Sequence, residues 1–402
     1  MSKAIALTAL VWLLGVVAPA RAQNVGDPNN ARVHVGPLAL SPTIRLTNFG
    51  RDSNIYNDSK DNSPRGDLTA TVSPVVEAWL RSPRVRVNGR GQFDFFYFKE
   101  LSNLRALDTD TFARVELPLN RLTPYVEGNL ANTRHRQNLE IDAIAKRRND
   151  GVQVGTDVRL TAKASVRLYT GRSHIEYQPN SLYRETDLAR SLNHTGSFEG
   201  LGFRYAATPL TTFAMNVEQG RDRFEFSSER NSDSFRVTPS VEFKPLALIS
   251  GRAAVGFRRL RFREGDVPEF KGVVALVDLQ YAFRGRTQFS IGASRDLEYS
   301  YIYSNYVLAG FNSSVTQRLG DAWDVRGTGG RYRLTFRQGP QGIAGARALP
   351  SETFLHFGLD VGYYIGRTRT GFSVQHYGRE SDVSLGRGYE RLRIGSSLTY
   401  VF

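Results

Sequence analysis

Cysteine is absent from the 402-residue sequence, which excludes disulfide bonds and thiolate chemistry. Long hydrophobic runs are also lacking, because no segment after residue 18 approaches the roughly 20 apolar residues that a transmembrane helix needs. Lysine is scarce, with 7 lysines beside 46 arginines, and the net charge is +14. Since no basic helix or recognised nucleic-acid motif accompanies this charge, the sequence argues against a nucleic-acid partner.

The N-terminus carries the parts of a secretory signal. Lys3 supplies a positive charge, residues 5–18 form a short apolar run, and Ala20-Arg21-Ala22 matches the small-x-small cleavage pattern. We therefore predict a cleaved signal peptide over residues 1–22, a short periplasmic lead-in over 23–35 and one barrel domain over 36–402. An exported chain without disulfides must draw its stability from its sheet.

Alternating segments fill the rest of the sequence. Between Gly36 and Phe402, about 18 segments alternate apolar and polar residues, which is the period of a β-strand with two different faces. Very short links alternate with longer polar links, an asymmetry typical of bacterial outer-membrane barrels, whose short turns are periplasmic. The sequence therefore predicts an all-β fold: a transmembrane antiparallel β-barrel of about 18 strands with short periplasmic turns and long extracellular loops.

Aromatic residues near the ends of these segments predict two girdles at the membrane interfaces. The set beside the short turns and the C-terminus is Tyr205, Phe243, Tyr281, Phe283, Trp323, Tyr363, Tyr400 and Phe402. The set near the long loops is Phe95, Tyr97, Tyr177, Phe224, Phe262, Tyr299, Phe336 and Tyr377.

The last strand is predicted to run to the final residue. Ile394, Leu398, Tyr400 and Phe402 share one parity, and closure of this strand against the first would leave no unpaired edge in lipid. Tyr400 and Phe402 also resemble the C-terminal assembly signal of Gram-negative outer-membrane barrels. This resemblance implies recognition by the barrel-assembly machinery.

The polar face of the alternating segments carries charged residues that would line the lumen. Either they form a water-filled, arginine-biased wall that enriches anions or acidic sugars, or they form a cross-strand lattice of salt bridges that only stabilises the wall. Selectivity is expected to depend most on Arg84, Arg86, Arg90, Arg391 and Arg393. The pore-lining candidates are Arg45, Arg84, Arg86, Arg90, Arg114, Arg159, Arg167, Arg204, Arg236, Arg391, Arg393, Glu77, Asp94, Glu127, Asp157, Asp278 and Asp360.

Other polar clusters do not predict a defined site. Asp52, Asn54, Asn57, Asp58 and Asp61 lie in the first long loop, but their spacing does not match an EF-hand and favours a solvated acidic loop. The glycines at 327, 329 and 330 are predicted to mark a β-bulge, because the apolar parity changes across them.

The histidines offer no recognisable catalytic motif. Ser173-His174-Glu176, Asn193-His194 and Ser373-His376-Glu380 place a base near a hydroxyl or a carboxylate, yet none resembles a lipase elbow or a zinc-binding H-E-x-x-H motif. We therefore expect no enzyme activity, no metal and no cofactor.

The segment GPLALSPTIRLTNFGRDSNIYND resembles the first strand and loop of the beta-barrel porin 2 group, outer-membrane barrels often tied to exopolysaccharide loci. Members of this group more often carry two acids and an asparagine before a bulky apolar residue, where this sequence has Asp52, Ser53, Asn54 and Ile55. The resemblance implies a barrel in the Gram-negative outer membrane, with a channel role or a role in polysaccharide export.

Three kinds of function share the predicted fold. The first is a porin-like channel for hydrophilic solutes with a preference for anions. The second is a channel or accessory barrel in exopolysaccharide export, with polysaccharide-export components as partners, although the inward Phe96, Tyr125 and Tyr169 form no obvious sugar ladder. The third is a structural barrel or an outer-membrane enzyme. All three imply contact with outer-membrane lipid and lipopolysaccharide.

Overall fold

The computed structural model describes residues 31–59, 62–134, 138–141, 144–244, 247–264, 267–337, 350–381 and 386–402. The predicted signal peptide and most of the predicted lead-in lie outside these residues. The described end of the lead-in contains a short strand, Val33–Val35, that pairs with the start of the first barrel strand. Ala31 packs against Ala39 and Trp79.

The described ranges contain 18 antiparallel strands that close into one barrel, as the alternation predicts. Each strand pairs with the next in the chain, and the last strand pairs with the first. We number them β1 to β18: Leu38–Asp52, Asp67–Arg81, Arg86–Phe98, Ala106–Glu116, Leu122–Thr133, Arg147–Arg159, Ala164–Tyr177, His194–Ala206, Thr211–Phe224, Ser232–Phe243, Ile249–Phe262, Phe270–Phe283, Thr287–Tyr299, Asn305–Leu319, Trp323–Arg337, Ser351–Ile365, Thr368–Ser381 and Tyr389–Val401.

The connections follow the predicted asymmetry, with eight short turns at one end of the barrel and nine longer loops at the other. The β7–β8 loop holds a two-stranded hairpin, Leu182–Tyr183 with Thr186–Asp187, and the helix α1, Leu188–Leu192. Two 3₁₀ turns, Ser102–Leu104 and Ser228–Arg230, lie in other long loops. Within the described part of the chain, no helix has the length and apolar character needed to cross a membrane.

The seam between β18 and β1 runs to the end of the chain. The backbone N–H of Phe402 donates to the carbonyl of Pro42 at 3.2 Å, so the last residue is part of the sheet. Higher in the seam, β1 contains a bulge at Asn48, which has a φ of 53°. At Gly50 a Cβ would lie 2.1 Å from the carbonyl oxygen of Ile394, so the close approach of β1 and β18 requires glycine there.

In the half of the barrel near the short turns, apolar side chains point outward and polar side chains point inward. On β16, for example, Leu359 and Ile365 are exposed on the outside, whereas Asp360 faces the lumen. The aromatic set beside the short turns lies on the outward face, with ring contacts between Trp323 and Tyr363 and between Tyr400 and Phe402. These outward residues form the belt that faces lipid.

In the half near the long loops, the two faces exchange character. On β15, Tyr332, Leu334 and Phe336 point inward and are buried, while Arg331 and Arg333 point outward. The ladders of β15 with β14 and β16 are continuous, so the predicted bulge at residues 327–330 is wrong. The apolar residues move from one face of the strand to the other because the surroundings of each face change. The register of the strand stays the same.

The same exchange corrects the prediction of a second aromatic girdle. Phe95 and Tyr97 point outward and are about half exposed, as predicted. The remaining six, Tyr177, Phe224, Phe262, Tyr299, Phe336 and Tyr377, are buried or partly buried on the inner side. Sequence alternation identified their strands correctly but could not show that this end of the lumen is filled.

Candidate functional site

The inner wall of the barrel carries almost all of the charges that the sequence predicts to line a pore. Strand parity places sixteen of the seventeen candidates on the inward face. The prediction is wrong for Arg84, which lies exposed in the turn over residues 82–85, because β2 ends at Arg81 and β3 begins only at Arg86.

One part of the wall is a compact lattice of ion pairs on β4 to β7. Arg114 donates to Glu116 and to Glu127, each at 2.7 Å, and lies 3.7 Å from Asp157. Arg167 forms a bidentate pair with Asp157, at 2.7 and 2.9 Å. Because each arginine has a carboxylate partner, their charges are compensated within the wall.

Other inward arginines are compensated in the same way. Arg204 pairs with Glu242 at 2.5 Å, and Arg236 and Arg258 each pair with Asp296 at 2.8 Å. Arg369 bridges Asp324 and Asp360. These pairs fit the wall lattice that the sequence left open as an alternative.

Two candidates, Arg45 and Arg90, differ from this pattern. Both donate to one neutral acceptor, the Oε1 atom of Gln92, at 3.1 and 2.9 Å. Gln92 in turn donates to Asp94 at 2.9 and 3.0 Å. In the described chain, neither arginine has a carboxylate within ion-pair distance, and Arg86 and Arg159 likewise form no ion pair there.

The membrane half of the lumen is accessible to water. The side chains of Arg204 and Arg252 point inward and yet remain 36% and 38% exposed. At the short-turn end, a recess of about 480 Å³ opens between Arg81, Arg86, Asn88 and Glu116. The lumen is therefore polar and accessible to solvent, and it is surrounded by an outer apolar belt.

At the other end of the lumen, the described residues of the β5–β6 loop pack against the inner wall. Three larger apolar side chains of this loop pack against three separate groups on the wall: Leu139 against the β14–β16 cluster around Leu334, Ile141 among Ile175 and the residues of α1, and Ile144 against the cluster around Phe98. Since these groups lie at different points around the barrel, the described residues of the loop extend across its interior.

A buried polar network fastens this loop. Glu140 is fully buried, and its carboxylate accepts hydrogen bonds from the Ser300 hydroxyl and from the backbone N–H of Tyr301. Arg387 donates to the Glu140 carbonyl at 3.3 Å and forms a bidentate pair with Glu352, both bonds at 2.9 Å. Groups from three other parts of the chain therefore hold the loop in place.

Burial changes the acidity of this carboxyl group. Desolvation raises the pKa of Glu140 to about 7, although the hydrogen bond from Ser300 and the charge of Arg387 both act to lower it. Sequence reasoning missed Glu140 because it treated residues 137–150 as a polar link. The available signal was the spacing of Leu139, Ile141 and Ile144 within a loop, where apolar side chains need a surface to cover them.

The first long loop is structural rather than a solvated acidic segment, so that prediction is wrong for its two buried members. Asp52 and Asn54 are each only 1% exposed. Asp52 binds Arg391 at 2.7 Å and Arg393 at 3.2 Å across the β1–β18 seam. Asn54 donates to the carbonyls of Asp58 and Glu390, at 2.8 and 3.1 Å. Asp61 lies outside the described residues.

The histidine groups predicted from the sequence come together only in part within the described residues. Ser173 and His174 are adjacent on β7 and point to opposite faces, as do Ser373 and His376 on β17. On the outer face, His174 lies 4.0 Å from Glu176 and 3.2 Å from the Thr195 hydroxyl. His194 stacks on Phe224 with ring centroids 4.8 Å apart. Across the described ranges, no group of three or more histidine, aspartate or glutamate side chains could hold a metal ion.

Comparisons with known proteins give weak likenesses to other barrels. No family model matches the sequence, and no curated protein matches it. The chain is similar to OccAB3 of Acinetobacter baumannii, with 10% identity, a TM-score of 0.47, and coverage of 92% of this chain and 100% of that chain. It is also similar to the outer membrane protein OpdK of Pseudomonas aeruginosa, with 10% identity, a TM-score of 0.46, and coverage of 90% and 98%.

A larger protein, the FrpB iron transporter of Neisseria meningitidis, is matched at 8% identity and a TM-score of 0.45 over 85% of this chain. The chain spans 62% of the length of that transporter. All of these TM-scores are below 0.5, so the likeness to each of these proteins is weak. The strands, the outer belt and the polar lumen described above establish the transmembrane barrel.

Proposed function

We propose that the protein is a channel for hydrophilic solutes in the outer membrane of a Gram-negative bacterium, and that the β5–β6 loop is its closure. The observation that carries this proposal is the contrast between the two halves of the lumen. The membrane half is polar and accessible to water, whereas Leu139, Ile141 and Ile144 of the β5–β6 loop pack against the inner wall of the long-loop half. A purely structural barrel has no need of a hydrated interior with a separate closure.

A preference for anions is the second part of the proposal. Arg45 and Arg90 lie near the middle of their strands on the lumen wall and lack carboxylate partners in the described chain. Arginine keeps its charge through neutral pH, and the local density of fixed charge sets the ion preference of a pore. Arg391 and Arg393 contribute less than the sequence suggests, because Asp52 binds both.

Single-channel recording in a planar bilayer tests the channel and its closure together. We expect little conductance from the native chain and a large increase from the variant Leu139→Ser, Ile141→Ser, Ile144→Ser. The matched control is Tyr56→Ser, Leu182→Ser, Phe226→Ser, which removes three exposed apolar side chains from long loops and should leave the conductance unchanged.

Heat-modifiable migration on a gel verifies that each variant is a folded barrel. A folded triple variant that passes no current would overturn the proposal of a channel. Equal conductance of the native chain and the triple variant would overturn the role of the loop and leave the channel standing.

A further inference from the structure

The outward face above the lipid belt carries a patch of cations that the proposed channel function does not use. It spans β9 to β12 and consists of Arg221, Arg223, Arg259, Arg261, Arg263 and Lys271, which we call the β9–β12 basic patch. The β-ladders make it continuous, since Arg259 is paired in register with Lys271, and Asp233 lies between Arg221 and Arg261.

Three acids lie beside these six cations, and they leave positive charge uncompensated. Asp233 is shared by Arg223 and Arg263, at 2.8 and 3.0 Å. Glu269 is shared by Arg259 and Lys271. Glu199 lies 3.4 Å from Arg221. In the part of the chain that the structure describes, Arg261 has no ion-pair partner.

The patch is accessible and lies directly next to the lipid belt. The side chains of Arg259 and Lys271 are 51% and 59% exposed. Arg259 follows the outward Phe257 by two residues, which is about 7 Å along the strand. A lipid whose acyl chains cover Phe257 and Val273 would therefore bring its head group to this patch.

Guanidinium groups match phosphate oxygens with paired N–H donors, and basic side chains at a membrane surface attract anionic head groups. We propose that the β9–β12 basic patch binds the phosphate groups of an anionic glycolipid in the outer leaflet of the membrane. The occupant is a lipid rather than a soluble anion, because the apolar belt continues beneath the patch on the same strands.

Native mass spectrometry of the full chain in detergent micelles, titrated with bisphosphorylated lipid A, tests this proposal. The variant Arg259→Gln, Arg261→Gln, Lys271→Gln should bind it roughly a hundredfold more weakly, given the contribution of each basic side chain at a membrane surface. The control variant Arg51→Gln, Arg148→Gln, Arg333→Gln removes the same charge from outward positions on other strands and should bind as the native chain does.

Dephosphorylated lipid A should bind the native chain as weakly as bisphosphorylated lipid A binds the patch variant. Equal loss of binding in the patch and control variants would overturn the proposal, because it would indicate an effect of net charge alone. Equal binding of the phosphorylated and dephosphorylated lipids would also overturn it. Neither result depends on whether the barrel conducts.

Discussion

Asp52, at the end of the first strand, binds Arg391 on the last strand, with its Oδ1 atom 2.7 Å from the guanidinium Nε. The two residues are separated by almost the whole chain, and Asp52 is nearly inaccessible to water. Arg393 approaches the same carboxylate at 3.2 Å. This cluster therefore joins the two ends of the sheet at the long-loop side of the seam.

Loss of the Asp52 charge is expected to weaken closure of the barrel. Asp52→Asn leaves two arginines facing a neutral group, and removal of one partner from a buried pair typically costs about 3–5 kcal/mol. The temperature at which the folded band disappears in a heat-modifiability gel should fall markedly. Asp58→Asn is the control, because the interaction described for Asp58 uses its backbone N–H and carbonyl. An unchanged transition in Asp52→Asn would show that the seam does not depend on this cluster.

The closure is expected to respond to pH through Glu140. In the closed state the pKa of its buried carboxyl is raised to about 7, whereas in a released loop it should be about 4.3. The neutral form therefore favours closure, and this stabilisation is complete below about pH 4 and is lost as the pH rises through about 7. The groups that interact with this carboxyl include Ser300, Tyr301 and Arg387, with Glu352 beyond Arg387. Arg230, Tyr177 and Tyr306 also interact with it electrostatically.

Conductance of the native channel should accordingly increase between about pH 5 and pH 8 in planar bilayers. Glu140→Gln keeps a neutral, hydrogen-bonding side chain and should stay closed over the whole range. Persistence of the same pH dependence in Glu140→Gln would assign the titration to another group.

Ion selectivity is expected to depend on Arg45 and Arg90 more than on Arg391 and Arg393. The measurement is the reversal potential under a KCl gradient, in the background of the Leu139→Ser, Ile141→Ser, Ile144→Ser variant. Arg45→Gln, Arg90→Gln should reduce the anion preference, and Arg391→Ser, Arg393→Ser should change it less because the shared Asp52 carboxylate offsets part of their charge.

The preference should also weaken as salt shortens the Debye length from about 10 Å at 0.1 M to about 3 Å at 1 M. Cation selectivity of the triple loop variant with all its arginines intact would contradict the assignment of selectivity to Arg45 and Arg90. A larger effect of the Arg391 and Arg393 pair would contradict the ranking of the two sites.

The exchange of faces predicts losses of stability of different size at two leucines, one on β15 and one on β16. Leu334 is fully buried in the long-loop half, so Leu334→Ala should destabilise the barrel by about 2–5 kcal/mol. Leu359→Ala lies on the lipid face and should cost less, because the alanine remains covered by lipid. Urea unfolding in lipid vesicles compares the two variants, and a larger loss at Leu359 would contradict the inward packing of Leu334.

Strand number, the asymmetry of turns and loops, and inward placement of most charges could all be predicted from the sequence. These features depend on period-two alternation, which is local and is read along one strand. The filled end could not be predicted in this way. Tyr332 and Phe336 keep their parity while the medium on each side changes, and alternation alone cannot tell a lipid-facing aromatic residue from one buried in the lumen.

The closure of the lumen depends on contacts between distant segments. Glu140 meets Ser300 and Arg387, which belong to other loops, and no spacing in the sequence relates the three. No spacing in the sequence shows which carboxylate or amide each inward arginine contacts, either. Parity places Arg391 and Arg45 on the same inner wall, but only the cross-strand neighbours show that one faces a carboxylate and the other an amide.

The change from apolar to charged residues on the outer face also sets the depth of the barrel in the membrane. If the barrel sank by two residues, Arg259 and Lys271 would enter hydrocarbon, where such a side chain costs up to about 2–4 kcal/mol at the midplane. If it rose by the same amount, Phe257 and Val273 would leave the lipid for water. Both displacements cost free energy. The depth of the protein in the membrane is therefore set to within about one or two strand residues, which is a few ångströms.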